Sequence, residues 1–195
     1  MEIKERQKDI IEAAGALLTR SGLGGLTIKN LASEMHFSES ALYRHFTSKE
    51  EIILAMLKYL ATDMDKRLSD AVLGIDDPLV GLKNIFESQF RFFSQNKHFV
   101  VAVFSDCLME ESVRINETIL NLMAIKRRHL LPIIVAGQQK GVFTDSIVPE
   151  HLMHITIGTF RLQMFKWKAA NFEFNIEARG KDLINSLHSI ILKNK

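Results

Sequence analysis

Glu39, Ser40, Tyr43 and Arg44 form the densest set of polar side chains whose spacing could do chemistry. On a helix they make one outward stripe, while Ala41, Leu42 and Phe46 turn together to the opposite side. A carboxylate, a hydroxyl, a phenol and a guanidinium on one short helix supply an acceptor and several donors. The major groove of duplex DNA admits one helix and shows a distinct donor and acceptor pattern for each base pair. On that reading Glu39 could accept from cytosine N4, Ser40 could bond a base edge, and Arg44 could reach guanine or a phosphate.

The flanking residues supply the elements that would hold this stripe. Ser38 is placed to cap the helix that carries it. Thr27 is placed to cap a preceding helix, its hydroxyl accepting from a free N–H one turn in. In that preceding helix Ile28, Leu31, Ala32 and Met35 recur at i, i+3, i+4 and i+7, a single buried face. Two short helices joined by a turn of about 3–4 residues describe a helix-turn-helix. Upstream, Ile3, Ile10, Ile11, Ala14, Leu17 and Leu18 predict a helix over 3–21, stopped by Gly22, Gly24 and Gly25. Lys4 and Arg6 at its start read either as solvated helix ends or as an arm reaching a phosphate or the minor groove.

At this point the sequence resembles a family. Leu42-Tyr43-Arg44-His45-Phe46 followed by Ser48-Lys49-Glu50 is similar to the L-Y-x-H-F…K-E block of TetR-type, tetracycline-repressor-like regulators. Ser21-Gly22, Gly25, Thr27 and Leu31-Ala32 fall at the family's spacing, and the likeness covers about the first quarter of the chain. It departs at three places. His36 stands where the family's turn usually has Gly, at a position that needs positive φ, which His tolerates better than most residues. Thr27-Ile28 replaces the usual Thr-Thr pair, and Ser40 replaces a common Gly. The resemblance implies that Thr27, Lys29, Tyr43, His45 and Lys49 contact mainly the DNA backbone, setting register without reading sequence. It also implies an all-α fold of about nine helices, a homodimer, and a cavity between residues 80 and 170 for a small apolar or amphipathic effector.

Composition is compatible with that reading and does not argue for it. The chain has 195 residues, 47% hydrophobic and 25% charged, with a net charge of +2. Over residues 1–50, Lys4, Arg6, Lys8, Arg20, Lys29, Arg44 and Lys49 are balanced by Glu2, Glu5, Asp9, Glu12, Glu34, Glu39 and Glu50. The motif therefore carries the case for DNA, not bulk electrostatics. One cysteine, Cys107, precludes an intrachain disulfide and reads as a small buried filler. No apolar run reaches the ~18 residues of a membrane span and no signal pattern opens the chain, so a cytoplasmic protein with no membrane partner is expected.

Beyond the motif, Ser48-x-x-Glu51 is a capping box that opens a helix running to about residue 70, with Lys49 in its first turn, where free N–H groups also favour an anion. Asp77-Pro78 opens the next helix. Residues 98–109 form a shorter apolar segment, and a long helix over about 112–140 contains Pro132, which predicts a kink or break. Pro149 starts a helix to about 170 that is apolar on more than one side. In it Leu152, Ile155, Thr159 and Leu162 make one row, and Ile157, Phe160, Met164 and Trp167 another. The last helix, about 176–193, places Leu183, Ile184, Leu187, Ile190 and Ile191 on one stripe. These two helices read as an isologous four-helix dimer interface, or else as part of the subunit's own core. The expected domains are 1–47 for DNA binding, 48–73 as a connecting helix, and 74–195 for effector binding and dimerisation.

The common catalytic signatures are absent, and no enzyme is expected. His151 and His154 lie at i, i+3 without a third ligand, so neither metal nor cofactor is expected. Lys126-Arg127-Arg128-His129 reads as a solvated face, and Glu110-Glu111 as a helix-end charge pair. Phe86, Phe90, Phe104, Met109, Met123, Phe160, Met164 and Trp167 are the candidate effector walls, since Phe and Met make adaptable apolar linings. The expectation is a ligand-responsive DNA-binding regulator, a repressor released from a near-palindromic operator. The alternative is a nucleoid-associated or protein-interaction factor that keeps the DNA module but has no small-molecule effector.

Overall fold

A computed structural model describes residues 5–104, 108 and 112–193. Ile3, Lys4, Cys107, Met109, Glu110 and Glu111, all singled out above, lie outside the described residues. Among the described residues there are nine helices and no strand: α1 (Glu5–Gly25), α2 (Ile28–Glu34), α3 (Glu39–Tyr43), α4 (Lys49–Val72), α5 (Pro78–Gln95), α6 (Lys97–Val103), α7 (Val113–Gln139), α8 (Pro149–Ala169) and α9 (Ile176–Ile191). The chain is all-α, as the helical periodicities require. It forms two compact units, Met1–Thr62 with Lys97–Asn121, and Asp63–Asn96 with Leu122–Lys195. Helices α4 and α7 each contribute residues to both units.

The first unit is built on the apolar faces of α1, α2 and the start of α4. Ile10, Ala14, Leu18, Leu31, Leu42, Ile53 and Leu57 are fully buried there. Gly22 breaks α1 with φ 64 and ψ −169, a conformation open to glycine, so the helix stop read from the Gly cluster is a kink rather than an end. Helix α6 packs on α1 because Gly15 leaves room for it: a Cβ at Gly15 would fall 2.8 Å from the His98 ring. That ring lies 4.2 Å from Phe99, and burial pushes the His98 pKa below its usual value. Thr27, Ser38 and Ser48 all cap as their positions predict. The Ser48 hydroxyl accepts the Glu51 N–H at 3.2 Å, while the Glu51 carboxylate is held by Arg114 at 2.7 Å. Ser112 caps the start of α7 and donates to Glu50 at 2.6 Å.

In the second unit α5 and α9 pack along their length. Asp77 accepts from the Leu79 N–H at 2.8 Å and Pro78 occupies the first turn of α5, both as expected. Gly180 of α9 lies flat on Phe90, where a Cβ would come within 2.4 Å of the ring. Phe90 is 5.0 Å from Phe160, and Phe86 and Phe93 lie 5.8 and 6.2 Å from the same ring, making one aromatic centre. The Trp167 indole donates to the Phe174 carbonyl at 2.8 Å. Pro132 does not end α7, which continues to Gln139; the proline is exposed, so the carbonyl deprived of its donor can turn to water.

The basic run over 126–129 is not one solvated face. Arg127 pairs with Glu150, Arg128 and His129 both reach Asp65, and Lys126 turns to Phe160. The hydrogen bonds from His129 and Arg128 hold the Asp65 carboxyl below its usual range. The two apolar rows of α8 have different fates. Phe160, Met164 and Trp167 of the second row are buried; in the first row Leu152 is buried but Ile155 and Leu162 are exposed, as is Phe165 beside them, and Gly158 faces open space. In α9, Ile176, Ile184, Leu187 and Ile191 are buried and Ile190 is exposed.

The close approach at Gly180 gives a test of the packing. Gly180→Ala should destabilise the protein by about 1–3 kcal/mol, because the Phe90 ring it meets is itself locked against Phe160. Urea denaturation followed by far-UV circular dichroism measures this, and an unchanged midpoint would contradict the contact.

Candidate nucleic-acid interface

The interface is assembled from α2, the turn at 35–38, α3 and the first turn of α4. The Thr27 hydroxyl accepts the Asn30 N–H at 3.1 Å, and the Asn30 amide donates to the Gly25 carbonyl at 2.9 Å, fixing the entry to α2. The turn closes with the Phe37 N–H on the Ala32 carbonyl at 2.9 Å. At its apex His36 adopts φ 55, the left-handed conformation foreseen where the family has Gly. Ser38 then caps α3 through the Ala41 N–H at 3.2 Å.

Helix α3 is only five residues long and could not persist alone, since nucleating a helix costs more than so few hydrogen bonds return. It is held by Leu42, which is 0% exposed, and by Phe46 just beyond it. With Leu42 fixed inward, Tyr43 is 50% exposed, and Glu39, Ser40 and Arg44 are exposed beside it. Neither Glu39 nor Arg44 has an ion-pair partner among the described residues. The Ser40 hydroxyl lies 2.9 Å from that of Ser38, so one of its two hydrogen-bonding roles is already taken. Thr27 and Lys29 are exposed, and His45 and Lys49 are half-buried. All eight residues named from sequence therefore belong to one helix-turn-helix and its flanks.

Two contacts brace the motif from α1. Arg20 forms a bidentate pair with Glu34 at 2.7 and 3.3 Å, which holds the Glu34 carboxyl below its usual range. Arg6 lies 4.9 Å over the Phe37 ring and 3.3 Å from Asp9, so it supports the turn as well as facing solvent.

Seven of the eight apolar candidates are among the described residues. Phe86, Phe90, Phe160, Met164 and Trp167 are buried in the second unit. Phe104 is buried in the first unit, and Met123 is 43% exposed. Within the second unit a small cavity of about 10 Å³ is lined by Leu68, Ile85, Phe86, Gln89, Lys126, Leu130, Ile157 and Phe160. Only Phe86 and Phe160 among the candidates touch it. Gln89 was legible as a polar interruption of the apolar stripe of α5; Lys126 was concealed within a run of charges. Among the described residues no three His, Cys, Asp or Glu side chains could hold a metal.

Residues 10–56 match the family described as "Bacterial regulatory proteins, tetR family". In sequence the chain is 27% identical over 105 residues to the HTH-type transcriptional repressor KstR2 of Mycobacterium tuberculosis, covering 54% of this chain and 52% of that one. It is 25% identical over 163 residues to the nucleoid occlusion factor SlmA of Shewanella halifaxensis, covering 82% of each. The chain spans about half the length of the curated regulators it first matches, 55% and 52%. In fold it is similar to KstR2, with a TM-score of 0.83 at 20% identity over 99% of this chain and 98% of that one. It is also similar to FadR of Bacillus subtilis in complex with stearoyl-CoA, with a TM-score of 0.81 at 16% identity over 95% of this chain and 98% of that one.

The strained turn can be probed directly. His36→Gly should fold with stability equal to or above that of the parent. His36→Val should lose about 1–2 kcal/mol, because a β-branched side chain resists positive φ while the exposed His36 gives up no packing. Thermal denaturation of the two variants side by side measures the difference.

Proposed function

The chain belongs to the TetR family of DNA-binding, helix-turn-helix transcriptional regulators, and from that premise we propose that it is an effector-released repressor acting as a homodimer on a near-palindromic operator. The observation that carries the reading is the exposed Tyr43 and Arg44 stripe on a helix whose opposite side, at Leu42, has no exposed surface. In this reading α3 enters the major groove, Glu39, Ser40 and Arg44 meet base edges, and Thr27, Lys29, Tyr43, His45 and Lys49 hold the phosphates. Two-fold symmetry places the half-sites about 34–36 Å apart, or a multiple of that.

The exposed row of α8 supports the dimer. Ile155, Leu162 and Phe165 present apolar surface beside Gly158, where a second helix could approach closely, and Ile190 adds to it from α9. This outward face, rather than the inward stripes of the two helices, is the surface offered to a second copy. A small apolar or amphipathic effector would bind in the second unit and favour a dimer whose reading helices no longer match the operator spacing. To move the population from 1:99 to 99:1 it must discriminate the two states by ~5.5 kcal/mol. Of the relatives' ligands, the stearoyl-CoA bound to FadR is an amphipathic molecule of this kind. Among the described residues no helix is long and apolar enough to cross a membrane, which accords with action in the cytoplasm.

A second reading is favoured by another relative: a nucleoid-associated factor that keeps the DNA module needs no small-molecule effector, and SlmA is named a nucleoid occlusion factor. The two readings part on whether lipophilic compounds release the protein from DNA selected out of a random pool.

Two outcomes are expected. Tyr43→Ala combined with Lys49→Ala should abolish operator binding in a gel-shift titration, and Arg44→Ala should weaken it by about 1–3 kcal/mol and relax specificity at the base it meets. Leu162→Glu with Phe165→Glu should convert the dimer to a folded monomer in sedimentation velocity, with loss of tight operator binding.

A further inference from the structure

The aromatic centre of the second unit contains a buried amide that the fold leaves unpaired. Gln89 of α5 is 3% exposed, and neither its amide oxygen nor its amide nitrogen has a hydrogen-bond partner among the described residues. A buried amide left this way costs stability, and a leucine would occupy the same space without that cost. Gln89 faces the same small cavity as Lys126, whose ammonium lies 4.8 Å over the buried Phe160 ring. Burial above all, and then the positive charges of Arg161 and Arg67, together lower the Lys126 pKa to about 8. Arg67 lies with its guanidinium 3.9 Å over Phe92, reaches Asp63 and Ser88, and leaves one buried terminal nitrogen without a partner among the described residues. Lys126 and the unpaired Gln89 amide thus meet at one mostly apolar space, with the charges of Arg67 and Arg161 near enough to act on Lys126.

We infer that the cavity at Gln89 and Lys126 is the receptor for the anionic head of an amphipathic effector, a carboxylate-bearing apolar molecule taken in preference to its neutral counterpart. This rests on the effector reading above and adds the chemical class. A carboxylate accepts from both the Gln89 amide nitrogen and the Lys126 ammonium, and its charge offsets the mutual repulsion of Lys126, Arg67 and Arg161. Hydrogen bonds to a charged acceptor are the strong kind, and they strengthen where water is excluded. The tail enters where the Phe86 and Phe160 rings now close the space, so binding requires those two rings to turn. The closed cavity and the polar groups are then two aspects of one device: a core held slightly unstable until an anion completes it.

Decanoate, decanol and acetate serve as probes, read by calorimetry and by the fluorescence of Trp167, the chain's one tryptophan. Decanoate should bind at least about tenfold tighter than decanol, as the loss of one charged hydrogen bond implies. Acetate, lacking a tail, should bind far more weakly than decanoate. In Gln89→Leu and Lys126→Met that preference should collapse, while both ligand-free variants melt at a higher temperature than the parent. Lys126→Gln serves as a second variant should the methionine fail to fold. Equal binding of decanoate and decanol to the parent would overturn the anion inference and leave the effector reading standing. Binding of neither would overturn both, with operator binding by the ligand-free protein still reporting on the regulator reading. A lower melting temperature in both variants would show that the polar groups hold the fold together, and would also overturn the inference.

Discussion

The orientation of one leucine side chain governs the DNA-facing half of this protein. Leu42 has no surface left to solvent, and α3 has only five residues in which to express that constraint. On so short a helix, turning one residue inward fixes the direction of every neighbour, so Tyr43 and Arg44 have no choice but to face out. Ser38 and Thr27 satisfy the free N–H groups at the starts of α3 and α2, and the turn between them folds back at His36. The reading surface is thus set by burial behind it rather than by contacts within it, which leaves Glu39 and Arg44 available to a partner.

The second unit is organised on the opposite principle. Its aromatic centre around Phe160 is close-packed, and Gly180 and Gly137 exist to let Phe90 and Phe143 lie against the backbone. Into that packing the chain places the unpaired amide of Gln89, where an apolar side chain would make a more stable core. Natural cores give up stability of this sort where function requires it. The first unit spends its polar groups on the outside, and the second keeps a few within.

The parts legible in the sequence were those decided by near neighbours. A cap is settled within four residues, so Thr27, Ser38, Ser48 and Asp77 could be read at sight, as could the positive φ at His36. The parts that escaped depend on residues far apart in the chain. Nothing near Gly15 announces that His98 will lie on it. The run over 126–129 reads as four charges on one face, yet its members find Glu150, Asp65 and Phe160 in different directions. Pro132 lies in a helix that tolerates it, because the carbonyl it strands can reach water.

The ties between Arg114 and the paired carboxylates of Glu50 and Glu51 carry a consequence for how the protein meets a polyanion. Lys49 opens α4, and the next two residues in the chain are acidic. Left bare, those two carboxylates would repel any phosphate that came to Lys49 or to the free N–H groups around it. Arg114 lies 2.7 Å from one and 3.5 Å from the other, and Ser112 donates to Glu50 as well. A side chain from the start of α7, far along the sequence, thereby balances the charge at the doorstep of the proposed reading helix without being part of it.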